Sequence, residues 1–218
     1  IGESAFFKCK QLKTVQFADN SKLEIIENHA FYNCSEIKHI MIPKSVLKIE
    51  YNAFNGCKKL KTVEFEENCS LQFICPFAFF NSGIENVLIP SSVIKIDSNA
   101  FNKCNQLETV EFLNDSNLKI IGDSSFSGSL IQRILIPPNV FKIGSFAFDG
   151  CKNLKLIEFY EDCDLKIINN SAFNGTSIRE IVIPPTVTLI GRFAFENCKR
   201  LQKVEFTENS NLQFIGEG

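Results

Sequence analysis

The 218-residue sequence contains no tryptophan, one methionine and two histidines, His29 and His39. With Trp and Met nearly absent, apolar volume comes from Ile, Leu, Val and above all Phe, which occurs 22 times. A few apolar residues used again and again point to one packing solution used again and again. Two histidines are few for a metal centre, which needs converging ligands. The formal net charge is only −2, so no global field calls for nucleic acid or an acidic membrane surface. No apolar run approaches the roughly 20 residues that span a bilayer, so direct membrane insertion by this segment is not expected. The opening IGESAFFKCK lacks the basic, apolar, small-residue order of a secretory leader. Apolar material is nonetheless ample for a sizeable core, at 44% of residues.

Catalytic signatures are missing too. There is no nucleophile elbow, phosphate loop, metalloprotease helix motif or dinucleotide fingerprint. Gly122, Gly144, Gly191 and Gly216 recur at one repeat position, where a turn is expected, and form no glycine-rich loop. The acidic pairs Asp162/Asp164 and Glu66/Glu67 fall between strands and read as solvated surface. Catalysis needs different groups to converge, whereas strict repetition sets identical groups in rows. The expectation is a non-enzymatic chain without cofactor or metal.

What is present is a period. An Ala-Phe pair, once Ser-Phe, falls at Ala5, Ala30, Ala53, Ala78, Ala100, Ser125, Ala147, Ala172 and Ala194, at intervals of 22 to 25 residues. Two coil types alternate. One reads A-F-x-x-C-x-x-L-x-x-V-x-F-x-x-x-(S/C)-x-L-x-x-I. The other reads (A/S)-F-x-x-(C/S/T)-x(1-2)-I-x-x-(I/V)-x-I-P-x-x-V-x-x-I. Alternating runs such as Leu60-x-x-Val63-x-Phe65 predict a short strand in each coil. Proline closes that strand in the second type, because it cannot donate to a ladder. A second apolar pair follows, for example Val46/Ile49. One coil cannot bury its own apolar face, so about nine coils must stack into a solenoid, with the Phe residues aligned as a spine.

L-x-x-V-x-F followed by L-x-x-I resembles a leucine-rich repeat. The I-P-x-x-V-x-x-I-G-x-x-A-F-x-x-C form resembles the BspA-like subclass, found in surface proteins of host-associated bacteria and protozoan parasites. The resemblance covers essentially residues 1–218 as one solenoid domain. It departs in using Phe for many strand leucines and in alternating two coil types. It implies a leucine-rich-repeat arc with short parallel strands on the concave face. It also implies an adhesin-like, cell-surface or secreted protein-binding array that contacts host or matrix proteins. A self-associating structural array and an intracellular interaction scaffold remain alternatives.

The nine cysteines fall into columns of the repeat. Cys9, Cys34, Cys57, Cys104, Cys151 and Cys198 share one column with Ser82, Ser129 and Thr176. That column wants a small side chain with a weak hydrogen-bonding head that meets backbone groups at a turn. Cys69 and Cys163 share a second column with Ser21, Ser116 and Ser210, and Cys75 stands alone. Column thiols are expected to be free and buried. Those in alternate coils lie roughly 10 Å apart, beyond disulfide reach. Cys9, Cys34 and Cys57 are the only three in consecutive coils.

On each strand the residue after the central Val or Ile should face outward. The candidate binding row is Met41, Glu64, Leu88, Glu111, Leu135, Glu158, Val182 and Glu205, with Arg133 from the neighbouring row. Acidic and aliphatic side chains alternate along it. Either it grips an extended partner carrying basic groups, or the Glu residues keep the sheet soluble. A further row, Ile25, Lys48, Phe73, Lys95, Ile120, Lys142, Ile167, Leu189 and Phe214, is either a contact surface or a second core layer. Phe73 and Phe214 are expected inward. Asn33, Asn68, Asn114, Asn169 and Asn174 begin N-x-S/T sequons, candidate glycan sites in a secreted eukaryotic setting. Neither end of the sequence shows a polar capping repeat, so the coils are expected to belong to a longer array.

Overall fold

The computed structural model describes residues 1–218. It contains strands and turns and no helix. In chain order the strands are β1 (Ile25–Ile26), β2 (His39–Ile42), β3 (Lys48–Ile49), β4 (Thr62–Phe65), β5 (Phe73–Ile74), β6 (Asn86–Ile89), β7 (Lys95–Ile96), β8 (Thr109–Phe112) and β9 (Ile120–Ile121). They continue as β10 (Arg133–Ile136), β11 (Lys142–Ile143), β12 (Leu156–Phe159), β13 (Ile167–Ile168), β14 (Glu180–Ile183), β15 (Leu189–Ile190), β16 (Lys203–Phe206) and β17 (Phe214–Ile215). Each coil runs from an Ala-Phe turn into a four-residue strand, then a loop, then a two-residue strand. The chain is a parallel β-solenoid of two alternating coil types.

The two-residue strands form one continuous parallel sheet of nine, from β1 to β17. The four-residue strands do not. They form separate ladders β2-β4-β6-β8, β10-β12 and β14-β16. Even within the first, β4 and β6 meet only at Thr62 and Asn86, whereas β6 and β8 pair along all four residues. A uniform spacing of adjacent coils therefore holds on the narrow side only. A proline sits at each break. Within a tight pair the Glu66 N–H donates to the Ile42 carbonyl at 3.1 Å. The same bond on the other side of β4 would need an N–H at Pro90, which has none. Pro137 and Pro184, after β10 and β14 in the chain, likewise lack the N–H at the breaks between β8 and β10 and between β12 and β14. The segment of coil 1 matching β2, residues 14–17, is not a strand.

The core follows from alternation. In β2, β6, β10 and β14 exposed and buried residues alternate strictly. The spine is present: nine Phe side chains from Phe6 to Phe195 stack nearly parallel, with successive centroids 5.1–5.6 Å apart. A third ladder of backbone bonds runs beside it. Phe31 N–H donates to Ala53 O and Phe79 N–H to Ala100 O, both at 2.8 Å.

The cysteine column caps these turns. The Cys104 thiol donates to the Phe79 carbonyl at 3.1 Å, and Cys151 donates likewise to Phe126 at 3.3 Å. Its one proton so used, the Cys104 sulfur accepts from the Ser82 hydroxyl at 3.2 Å. All nine cysteines are free thiols. Cys9 is exposed and Cys69 half-buried, so burial is less general than the columns led one to expect; Cys75, outside the columns, is half-buried too.

Two further expectations are corrected. Phe73 does not point inward. It is half-buried on the outer face, with Lys48 Nζ 5.5 Å from its ring centroid, while Ile74 fills the core. Phe214 is 53% exposed. Strand alternation forces this, since Ile74 and Ile215 already occupy the inward column. The recurrent glycines do not supply a left-handed turn either. A Cβ on Gly122 would lie 2.5 Å from the Asp97 carbonyl carbon and 2.7 Å from the Ser98 nitrogen, so close approach of coils selects glycine there.

The left-handed positions lie elsewhere, two per coil. One precedes the Ala-Phe pair, as at His29, Asn52, Phe77 and Asn99, with φ of 57 to 60°. The other precedes the cysteine column, as at Asn33, Gly56, Asn81 and Gly150. Asn and Gly suit the left-handed region best, and each reversal turns the chain back over the spine.

Candidate functional site

The outward row lies where alternation puts it. Met41, Leu88, Leu135 and Val182 are 38%, 48%, 42% and 49% exposed, and Glu64, Glu111, Glu158, Glu205 and Arg133 are also exposed. Within tight strand pairs an aliphatic residue sits directly beside a Glu. Met41 is in register with Glu64, Leu88 with Glu111, Leu135 with Glu158 and Val182 with Glu205. The coils thus assemble four aliphatic–acidic pairs on one face.

Interruption of the ladders adds what the sequence pattern did not reveal. Each break, with its proline, is a groove between one tight pair and the next. The groove between β4 and β6 has a volume of about 650 Å³ and is lined by Glu64, Glu66, Glu111, Leu88 and Pro90. That between β8 and β10 is about 560 Å³, with Glu111, Glu158, Arg133, Leu135 and Pro137. That between β12 and β14 is about 590 Å³, with Glu158, Glu180, Glu205, Val182 and Pro184. The grooves recur once per double coil, roughly 10 Å apart at the usual strand spacing. Their basic lining consists of Arg133 alone. The longer loops of the first coil type overhang them. Tyr160 OH reaches Asn114 Oδ1 at 3.5 Å, spanning an intervening coil.

The carboxylates differ in availability. Glu205 is 2.6 Å from Lys203 Nζ, and this pairing holds the lysine ammonium above its ordinary range. Glu64 lies 4.0 Å from His39, whose Nδ1 bonds the Thr62 hydroxyl at 2.8 Å. Glu111 and Glu158, in the middle of the array, have no ion-pair partner. No group of three or more His, Cys, Asp or Glu side chains is arranged to hold a metal ion. Of the sequon asparagines, Asn68 and Asn114 are exposed on the longer loops. Asn33, Asn169 and Asn174 are half-buried in the turn region.

The sequence profile described as "BspA type Leucine rich repeat region" matches in six copies, across residues 1–108, 72–202 and 166–218. Among curated proteins, none matches the sequence. Among solved structures, a leucine-rich repeat protein from Bacteroides ovatus superposes with a TM-score of 0.73 at 24% identity, covering 100% of this chain and 66% of its own. The pneumococcal vaccine antigen PcpA gives 0.61 at 21% identity, over 80% of this chain and 52% of its own. A leucine-rich cell surface protein from Faecalibacterium prausnitzii gives 0.51 at 25% identity, over 94% and 69%. The chain therefore spans under two thirds of the length of the first two.

Proposed function

The chain belongs to the BspA-type leucine-rich-repeat family, and from that premise we propose that its four-residue-strand face binds a host or matrix protein through an extended, basic segment at a cell surface. The family is generally a non-enzymatic repeat scaffold that mediates protein interactions. The observation that carries the reading is the recurrence of three acid-lined grooves at one period, each flanked by an exposed aliphatic residue. Three extended residues span about 10 Å. In a polyproline-II conformation, at about 3.1 Å per residue, every third side chain returns to one face, so an extended segment with Lys or Arg at every third position presents one cation to each groove and lays its apolar residues beside Leu88, Leu135 and Val182. The surface location draws support from the F. prausnitzii cell surface protein and the pneumococcal antigen.

The test is charge reversal where no partner is lost. Glu111→Lys with Glu158→Lys leaves the buried face of β8 and β12 untouched, so folding should persist by circular dichroism. Binding of a peptide with Lys at every third residue, and of immobilised matrix proteins, should fall at least tenfold (about 1.4 kcal/mol). The wild-type affinity should also weaken with salt. Unchanged binding sinks the proposal. A concentration-dependent dimer in sedimentation, abolished by the same pair, assigns the face to a second copy of the chain instead.

A further inference from the structure

Outside the buried Phe spine, on the turn side of coils 1 to 4, lies a second run of rings. Phe7 stacks on Tyr32 at 5.0 Å, Tyr32 meets His29 at 5.5 Å, His29 meets Tyr51 at 5.4 Å, Tyr51 meets Phe77 at 5.7 Å, and Phe77 meets Phe80 at 5.4 Å. The rings form one unbroken strip, about 15 Å long at three coil spacings. Phe7 and Tyr51 are each 42% exposed, and the other four rings are half-buried.

The fold does not need these rings. The core beneath is filled by Phe31, Phe54 and Phe79, which are fully buried. At the same repeat positions coils 5 and 6 carry Asn99, Asn102, Ser124 and Ser127. His29 and Phe77 moreover sit in left-handed backbone, at φ of 57° and 59°. Asn and His are tolerated there, and the bulky Phe77 is the outlier. Conformationally unfavourable residues at a surface, replaceable without harm to the core, mark a binding function. Phe146 and Phe193 repeat the choice further along, each 40% exposed or more, as lone rings without aromatic neighbours.

The chemistry around the strip narrows the ligand. Between Phe7 and Phe80, Glu27 and Glu50 precede the turns and Lys58 Nζ bonds Asn81 Oδ1, and the turn residues next to the rings are uncharged. They carry amides instead, among them Asn28, Asn33, Asn55 and Asn81. Lys8 and Lys103 close the two ends, 4.9 Å and 5.5 Å from the terminal ring centroids. Ring faces carry negative quadrupole charge and attract polarised C–H groups, and each amide both donates and accepts. A protein partner of ordinary affinity needs about 800 Å² on this side, far wider than a strip one or two rings across. We propose that the strip binds an extended, uncharged glycan, sugar C–H faces on the rings and hydroxyls on the asparagines. This site is separate from the strand face.

The protein carries its own reporter. It has no Trp and three Tyr, of which Tyr32 and Tyr51 lie in the strip. Tyrosine emission, with calorimetry, is followed during titration with three hexasaccharides: of glucose, of N-acetylglucosamine, and of alternating galactose and N-acetylglucosamine. At least one should give a saturable change below millimolar concentration. Tyr51→Asn with Phe77→Asn should weaken it at least tenfold. Asn already occupies those two repeat positions at Asn28 and Asn52, so the variant should fold. Phe146→Asn should change nothing, and the Glu111→Lys, Glu158→Lys protein should bind the sugar normally. No saturable response to any of the three at millimolar concentration overturns the proposal. So does a sugar that binds the double variant as well as the wild type.

Discussion

Ser125 is the single serine in the column that is otherwise alanine, and it is fully buried. Its hydroxyl is also the one buried side-chain polar atom without a hydrogen-bond partner. Leaving a buried hydroxyl unsatisfied costs about 1–3 kcal/mol. Ser125→Ala removes that term and keeps the backbone bonds, including Phe101 N–H to the residue 125 carbonyl at 2.8 Å. The lost oxygen forfeits only a few dispersion contacts, each about 0.1–0.2 kcal/mol. The net expectation is stabilisation by about 1–2 kcal/mol, or roughly 2–8 °C in Tm for a chain of this size. Urea unfolding by far-UV circular dichroism should show a higher midpoint at unchanged slope. The mirror substitution, Ala147→Ser, should lower the midpoint by a similar amount. An alanine variant no more stable than the parent would falsify the reasoning, because it would mean that the hydroxyl is satisfied in solution.

Phe101→Ala in the middle of the spine removes stacking with both Phe79 and Phe126. It should cost about 3–5 kcal/mol in urea unfolding. Phe6→Ala, at the exposed end of the stack, should cost much less. Cys104→Leu should overpack the turn and cost about 1–3 kcal/mol, while Cys104→Ser should be nearly neutral, since Ser82 and Ser129 already serve that column; equal losses would remove the column's size requirement. Thiol titration in denaturant without reductant should count nine free thiols, and native bridges would contradict the column reading.

Much of this fold was legible because a repeated sequence averages out local ambiguity. A single L-x-x-V-x-F run is a weak strand signal, but nine aligned runs fix the strand, its inward column and the Phe spine. The same averaging hid what differs between coils. The grooves depend on Pro90, Pro137 and Pro184 acting on the preceding strand, across the stack and not along the chain. The left-handed positions were partly written as Asn or Gly before the cysteine column. Lys8 and Lys103 blurred that column, and His29 and Phe77 blurred the one before Ala-Phe. The direction of Phe73 followed from pairing parity, which large apolar size outweighed in reading the row. The surface aromatic strip was invisible because its rings come from three different columns that converge only when the coils stack.

The buried thiols make stability depend on pH in one direction. Burial favours the neutral thiol and pushes Cys104 and Cys151 from 9.0 up to about 11, a rise that the Ser82 and Ser129 hydroxyls partly offset. Below pH 9 both folded and unfolded chains hold these protons, and the full stability is present. Between pH 9 and 11 the unfolded chain releases them and the folded chain does not. Stability then falls by about 1.4 kcal/mol per thiol for each pH step, and levels off above 11. The pair should therefore cost up to about 5 kcal/mol by that point. Lysine deprotonation acts in the same range, but equally on a Cys104→Ser, Cys151→Ser variant, so the difference between the two proteins isolates the thiols. Urea midpoints measured under reductant near pH 8 and again near pH 10.5 should diverge, the serine protein losing less. Midpoints that fall in parallel would show that these thiols ionise as readily inside the solenoid as outside it.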